Sequence, residues 1–333
     1  MAATIKMVAE RAGVSVATVS KYINGGNVYE ENRERIQKAI EELDYKINEV
    51  ARSLKTNKTY TIGVLAATIQ SSFITSIISK IQYTLLQHGY STIIADYQEN
   101  KKLEKKQLDV LLMRHVDGII LFPEENEEEI VRFIKEQNVP IVMVDNMVEG
   151  IPCDAILTDN MGGVYTAVEE LIKRSHRRIG MITGPEQMYT SRERMKGYCR
   201  ACEDYFVEVV PELIRYGNYD IESGYRCFME LMELANPPTA VVAGNYYMAI
   251  GALQAINEKG IRIPEQLSFI AYDHMEFAGI MTPKISTVSQ PLGNIGQVAA
   301  ERIVQRLKGN MENYPQVDRL KTSLNLTGSV NSL

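Results

Sequence analysis

Apolar positions in the first sixty residues recur at helical spacing. Ile5, Val8 and Ala9 share one face of a helix predicted over residues 2–12, with Thr4 as a plausible cap and Gly13-Val14 as its break. Ser15 stands where the next helix needs a capping hydroxyl. Val16 to Ile23 supplies that helix, with Val19 and Ile23 four apart as its buried stripe. Asn24-Gly25-Gly26 then offers the open or left-handed backbone that ends a helix. A third helix, ENRERIQKAIEELD from Glu31 to Asp44, buries Ile36, Ala39, Ile40 and Leu43, and Tyr45 covers the small core. Two short helices joined by a tight turn make a helix-turn-helix, whose second helix enters the DNA major groove.

After Tyr60 the period changes. Apolar runs predict strands at 61–67, 91–96, 118–122, 140–145 and 154–158, with helices over 73–87, 101–113 and 125–136 between them. Strands that are apolar throughout and separated by helices indicate parallel sheets covered on both faces. A second such unit begins near Gly162. Its helices are predicted over 164–174, 191–205, 222–235 and 247–259, and its strands at 178–183, 239–243 and 267–272. Residues 283–288 lead into a last strand of this run, 292–307 form a helix, and 321–326 a closing strand. The first strand is followed by GVLAATIQSS, without the glycine fingerprint of a dinucleotide site.

Composition modifies this picture in three ways. The net charge of −6 argues against nucleic acid only as an average. Residues 1–60 carry 10 Lys/Arg and 8 Asp/Glu, a balance of +2, and the remaining 273 carry 26 and 34, a balance of −8. A mildly basic head is compatible with DNA if its charges share one face and several heads act together. Cys153, Cys199, Cys202 and Cys227 are too few and too irregular for a disulfide framework and are expected as free thiols. The absence of an apolar leader and of any 18-residue apolar run points to a reducing cytoplasm and no membrane. His88, His115, His176 and His274 are scattered, and neither GxSxG nor HExxH occurs, so no catalytic residue, metal or cofactor is expected.

Thr4-Ile5, Val8-Ala9, Ala12-Gly13-Val14-Ser15 and Thr18-Val19-Ser20 with Asn24-Gly25 closely resemble the DNA-binding head of the LacI/GalR family of transcription regulators. The resemblance implies that Val16, Ala17 and Lys21 face the bases, within a DNA-binding set that also holds Thr4, Ser15, Thr18, Ser20 and Asn24. Methyl groups suit thymine and a lysine suits guanine acceptors. Two positions depart from the family: Met7 replaces a usual acid, and Lys21 a usual arginine, losing the two-pronged fork. Asn48, Ala51, Arg52 and Leu54 match the family's hinge helix, with Leu54 as its minor-groove wedge. A helix this short does not hold itself in water, so it is expected to order on DNA.

The resemblance continues through Asp159-Asn160, His176 to Gly180, Arg194 with Gly197, and Asp273 with Pro283 and Gln290-Pro291. It implies an all-α helix-turn-helix head followed by a two-lobed, periplasmic-binding-protein-like α/β core. The expected divisions are 1–46 for the head and 47–60 for hinge and linker. The core, 61–333, has a first lobe of about 61–160 and 291–320 and a second of about 161–290 and 321–333. Ligands of such cores lie at strand C-termini. The candidates there are Gln70, Ser71, Phe73, Asp145, Asn146, Asp159, Asn160, Asn245 and Tyr246, with Arg194 and Asp273 matching family ligand positions. Carboxylates and a guanidinium bind paired hydroxyls, so a sugar or sugar derivative is expected. Tyr246 stands where the family commonly has an aspartate, which favours an acidic or phosphorylated sugar. The expected partners are near-palindromic operator DNA, the effector and a second copy of the chain. A regulator controlled by a partner protein and a sugar-binding module with a vestigial head remain as alternatives.

Overall fold

The computed structural model describes residues 3–23, 26–46, 53, 58–124, 128–148, 150, 152–275 and 277–333. Asn24, Asn48, Ala51, Arg52 and Leu54 lie outside them. Its contacts divide the chain into two units, Met1–Thr59 and Tyr60–Leu333.

In the first unit, α1 (Ile5–Ala12), α2 (Val16–Ile23) and α3 (Glu30–Glu42) enclose a small core of Val8, Ala9, Ala12, Val19, Ile36 and Ala39. The first helix begins three residues later than its apolar spacing predicts, because the Thr4 hydroxyl accepts from the Met7 amide and caps it. It ends at Gly13, whose φ of 63° places it in the left-handed region. Ser15 Oγ accepts from the Thr18 amide at 3.1 Å and starts α2. Tyr22 donates to Gln37 at 2.6 Å, and Arg11 pairs with Glu42, tying α3 to the other two.

The second unit holds two six-stranded sheets. The first has the order β11-β5-β4-β3-β1-β2. Its strands are β1 (Thr61–Ala66), β2 (Ser91–Asp96), β3 (Gly118–Leu121), β4 (Ile141–Val144), β5 (Asp154–Thr158) and β11 (Val317–Leu320), all parallel. Helices α4 (Ser72–Gln87), α5 (Lys101–Met113), α6 (Glu128–Glu136) and α11 (Leu292–Leu307) accompany them. The second sheet has the order β12-β10-β9-β8-β6-β7. It comprises β6 (Ile179–Thr183), β7 (Ile214–Tyr216), β8 (Ala240–Ala243), β9 (Ser268–Tyr272), β10 (Ser286–Ser289) and β12 (Ser323–Asn325), and only the β10–β12 pairing is antiparallel. Its helices are α7 (Asn160–Lys173), α8 (Tyr189–Asp204), α9 (Ile221–Met232) and α10 (Tyr246–Glu258).

The chain therefore passes between the lobes three times: from β5 into α7, from β10 into α11, and from β11 into β12. The closing strand expected at 321–326 is β12, and β11, which was not expected, precedes it and completes the first sheet. Strand β7 is absent from the sequence reading, because Ile214-Arg215-Tyr216 carries no apolar run. Helix α7 starts four residues earlier than expected, since Asp159 Oδ1 accepts from the Gly162 amide at 2.8 Å.

Helix α11 returns to the first lobe, where Ile295, Ala299, Ala300 and Ile303 join the core formed by Ile62, Val64, Ile77 and Ile81. A buried pair holds it there: Arg306 bonds both oxygens of Asp154, at 2.7 and 3.0 Å. In the second lobe, α9 and α10 touch backbone to backbone at Gly224 and Gly251. A methyl group at Gly251 would strike the Ile221 carbonyl and the Tyr225 amide. Gly251→Ala is expected to destabilise the core by about 1–3 kcal/mol through overpacking, read as a lowered thermal midpoint. An unchanged midpoint would refute the backbone contact.

Candidate effector cleft and DNA-reading head

The cleft lies where strands of both sheets end. Two of its carboxylates are placed by the same device. Asp145 follows β4 and Asp273 follows β9, both in left-handed backbone, with φ of 70° and 78°. Each donates its amide to a neighbouring strand, Asp145 to Ile156 and Asp273 to Val288. Aspartate tolerates this conformation better than most residues, and it turns each side chain out of its sheet edge.

Asp273 accepts from Gln290 Nε2 at 2.6 Å and from the Tyr246 amide at 3.2 Å. Asp145 Oδ1 and Asn146 Oδ1 are buried acceptors without a hydrogen-bond partner, and both residues line the cavity. Buried acceptors are normally satisfied, so this pair marks a place for ligand donors. Arg194, 3% exposed, lines the same cavity. Its Nε donates to Asn160 Oδ1 at 2.8 Å, its Nη1 to the Gly244 carbonyl at 2.5 Å, and its guanidinium lies 4.0 Å from the Tyr272 ring centre. Burial works against its charge, but Tyr219, Tyr272, Asp273 and Asp145 together hold its pKa above the ordinary value.

The inner cavity, about 190 Å³, is walled by Phe73, Phe122, Tyr219, Tyr246 and Tyr247 and carries Ser71, Thr190 and Gln290 among its polar groups. Of the residues expected from the sequence, Ser71, Phe73, Asp145, Asn146, Arg194, Asn245, Tyr246 and Asp273 meet here, while Asp159 caps α7. Gln70 does not; it borders an outer space next to this cavity. Asn160 is the first residue of α7, 1% exposed, and accepts from Arg194 Nε, outside the residues that line the cavity. The Asn245 amide is also engaged, accepting from the Met248 amide and donating to the Tyr219 carbonyl. Sequence reasoning missed Tyr219, because it follows the unrecognised β7. Its hydroxyl bonds Thr190 at 2.9 Å and Ser191 at 2.7 Å.

Burial pushes the Asp145 carboxyl up to about 6, with Arg194 opposing the rise and Asp273 adding to it. A folded value above the unfolded one favours the protonated form in the folded state. That contribution is complete below the ordinary value of 3.8 and is lost as pH rises through about 6. A ligand whose donors bind the ionised carboxylate competes with this proton. Its dissociation constant is expected to rise by up to about tenfold per pH unit below about pH 6. Calorimetry across this range checks it. A flat wild-type profile, or an Asp145→Asn profile that still slopes, would remove Asp145 from the contact.

In the head, Val16, Ala17 and Lys21 are all exposed on α2. Ala17, Thr18 and Lys21 line a concave surface together with Asn27, Val28, Tyr29 and Asn32. The Thr4 and Ser15 hydroxyls serve as caps, and Ser15 Oγ also bonds Thr18 Oγ1 at 2.8 Å. Ser20 is half-buried. Tyr29 was not recognised from the sequence, yet it is 85% exposed and caps nothing. Tyr29→Ala is expected to weaken operator binding several-fold without lowering the melting temperature. Unchanged affinity would exclude a DNA contact.

A helix-turn-helix head joined in one chain to a two-lobed core with a polar, aromatic-walled cleft defines a DNA-binding regulator with an effector-binding core. Residues 4–48 match "Bacterial regulatory proteins, lacI family", and residues 59–323 match "Periplasmic binding proteins and sugar binding domain of LacI family". The chain belongs to the LacI family of bacterial transcription regulators. It is 34% identical over 319 residues to the HTH-type transcriptional repressor PurR of Escherichia coli O1:K1 / APEC, covering 95% of this chain and 94% of that protein. A lac repressor dimer bound to operator and the anti-inducer ONPF superposes with a TM-score of 0.84 at 25% identity, over 100% of both chains. The transcriptional regulator CelR in complex with cellobiose gives 0.76 at 29% identity, over 98% of this chain and 99% of that one. Among the described residues, no helix is long and apolar enough to cross a membrane, and no group of three or more His, Cys, Asp or Glu is placed to hold a metal.

Proposed function

We propose that this protein is a homodimeric repressor whose grip on a near-palindromic operator is set by an uncharged, hydroxyl-bearing small molecule in the cleft, a sugar being the leading case. The observation that carries this reading is the pair of unpartnered buried acceptors, Asp145 Oδ1 and Asn146 Oδ1, beside Arg194 in an aromatic-walled cavity. Vicinal hydroxyls supply the donors that the two acceptors lack, and a ring covers the apolar face of a sugar.

The lining weighs against the acidic or phosphorylated effector expected from Tyr246. Glu99, Glu124, Asp145 and Asp273 face the cavity against the single guanidinium of Arg194. Replacing one aspartate with Tyr246 does not make such a cleft attractive to an anion, because like charges at close range cost energy at low dielectric. A flat nitrogen heterocycle is the second reading, carried by the same aromatic walls.

Repression is supported by the similar repressors, and dimerisation by the geometry of operators, whose two half-sites need two heads. The dimer seen for the lac repressor supports the same assembly. Selection of duplexes from random DNA tests the reading, repeated with neutral sugars, sugar acids, sugar phosphates and nucleobases. A single preferred near-palindrome, whose occupancy changes with a neutral compound, is the expected result. Absence of any preferred duplex at low salt would overturn it, and a response to anionic sugars alone would overturn the choice of effector.

A further inference from the structure

Where the chain crosses between the lobes, buried bonds pin them together. Thr158, at the end of β5, bonds Gln290, just before α11, at 2.7 Å, and the Asp159 amide donates to the Leu320 carbonyl at 2.8 Å. Tyr189, the first residue of α8 in the second lobe, is buried in an apolar cluster of the first lobe, where its hydroxyl accepts from Arg319 at 3.4 Å. Such contacts resist separation, because breaking them would leave buried polar atoms unsatisfied.

The mouth of the cleft is held differently. Tyr247, the second residue of α10, donates its hydroxyl to the Gln70 carbonyl of the first lobe at 3.3 Å, and both residues line the outer space. Hydroxyl bonds usually measure about 2.7–2.8 Å. This one is long and exposed, so water competes for both partners. The ring itself is braced. Tyr246 packs edge-on against it, with centres 5.2 Å apart, and Phe277 lies 6.1 Å from Tyr246. A braced side chain gives up little rotamer freedom when its hydroxyl bonds, so one weak bond is enough to bias the lobes. Charge acts the other way. Glu99, Lys101 and Glu124 of the first lobe line the same space as Asp220 of the second, three carboxylates against one ammonium. Each wall is net negative, which favours separation.

We propose that Tyr247 is a clasp. It holds the lobes together in the chain without effector, at a mouth whose charges alone would open it, and the side pinned by Thr158 and Tyr189 serves as the pivot. This inference goes beyond the proposed function and does not depend on which compound the cleft binds.

Energy transfer between two dyes on one full-length chain tests it, with no effector present. Lys102→Cys and Glu222→Cys, both at exposed positions, place the dyes on the two sides of the mouth, and Cys199→Ser removes the exposed native thiol. Doubly labelled chains are diluted into unlabelled protein, so that transfer is read within one chain. With Tyr247 in place, the shorter separation is expected to dominate. Tyr247→Phe keeps the ring and removes only the hydroxyl; it is expected to raise the ratio of open to closed chains about two- to tenfold, the range for one hydrogen bond. Tyr247→Leu removes the reach altogether and is expected to raise it at least as far, with melting curves to confirm folding of both variants. Predominance of the longer separation with Tyr247 in place overturns the proposal, as does a ratio that neither substitution moves.

Discussion

Arg194→Ala is expected to abolish the response to effector and to lower the stability of the core. The side chain is 3% exposed and holds two elements at once, Asn160 at the start of α7 and the Gly244 carbonyl before α10. Alanine would take this donor from the Gly244 carbonyl, leave Asn160 Oδ1 with the Tyr272 hydroxyl at 3.2 Å, and leave Asp145 and Asp273 without their shared counter-charge. Removing one partner from a buried, hydrogen-bonded charge site costs about 3–5 kcal/mol. Effector affinity should fall on the order of a hundredfold or more, which is the lower part of that range converted at 1.4 kcal/mol per decade.

Arg194→Lys separates charge from shape. Lysine keeps the positive charge, but it cannot bond Asn160 and Gly244 from one planar fork or stack on Tyr272. It is expected to recover part of the stability and little of the effector binding. Thermal melting and calorimetry on the three proteins read the two effects apart. Wild-type affinity in a folded Arg194→Ala protein would place the effector elsewhere.

The second large effect is expected at Lys21. It is exposed on α2 and shares its concave surface with Ala17 and Tyr29. Lys21→Ala is expected to remove a base or phosphate contact from each head. A good base contact contributes about 1–3 kcal/mol of discrimination, and a dimer makes it twice. Operator affinity should therefore fall on the order of a hundredfold or more. The exposed position makes the effect on melting small, within about 0.5 kcal/mol.

The pattern of the loss separates two roles. A base contact weakens the preferred operator far more than random duplex, whereas a phosphate contact weakens both and flattens the salt dependence. Lys21→Arg is expected to sharpen preference if the partner is guanine, because the fork reaches both acceptors. Binding curves for operator and random duplex at several salt concentrations distinguish these outcomes. Full operator affinity in the alanine variant would show that α2 reads DNA through other residues.

The head was legible because its signals are local. Thr4, Gly13 and Ser15 act within three or four residues of themselves, and the apolar stripes of α1 to α3 need only helical spacing. Most strands of the core were legible for a similar reason, since a strand buried on both faces is apolar throughout. Where the local signal was weak, the reading failed. β7 is a three-residue edge strand whose pairing with β6 supplies what its sequence lacks, and Tyr219 was lost with it. Likewise, residues 317–325 carry no mark showing that one strand joins each sheet.

By itself, the sequence determined the family, the order of the helices and of most strands, and part of the set of residues that reaches the cleft, because spacing and capping act over a few residues. Only the tertiary structure decided what those residues do there. Asn160 came to accept from Arg194 Nε, and Asp145 and Asn146 were left as unsatisfied acceptors. Asp145 and Asp273 came to share one guanidinium, Glu99 and Glu124 joined them in lining the cavity, and Tyr247 reached a carbonyl 177 positions away. The physical reason is range. Burial, charge neighbourhood and cavity shape arise from groups brought together by the fold, and no short window of sequence contains both partners.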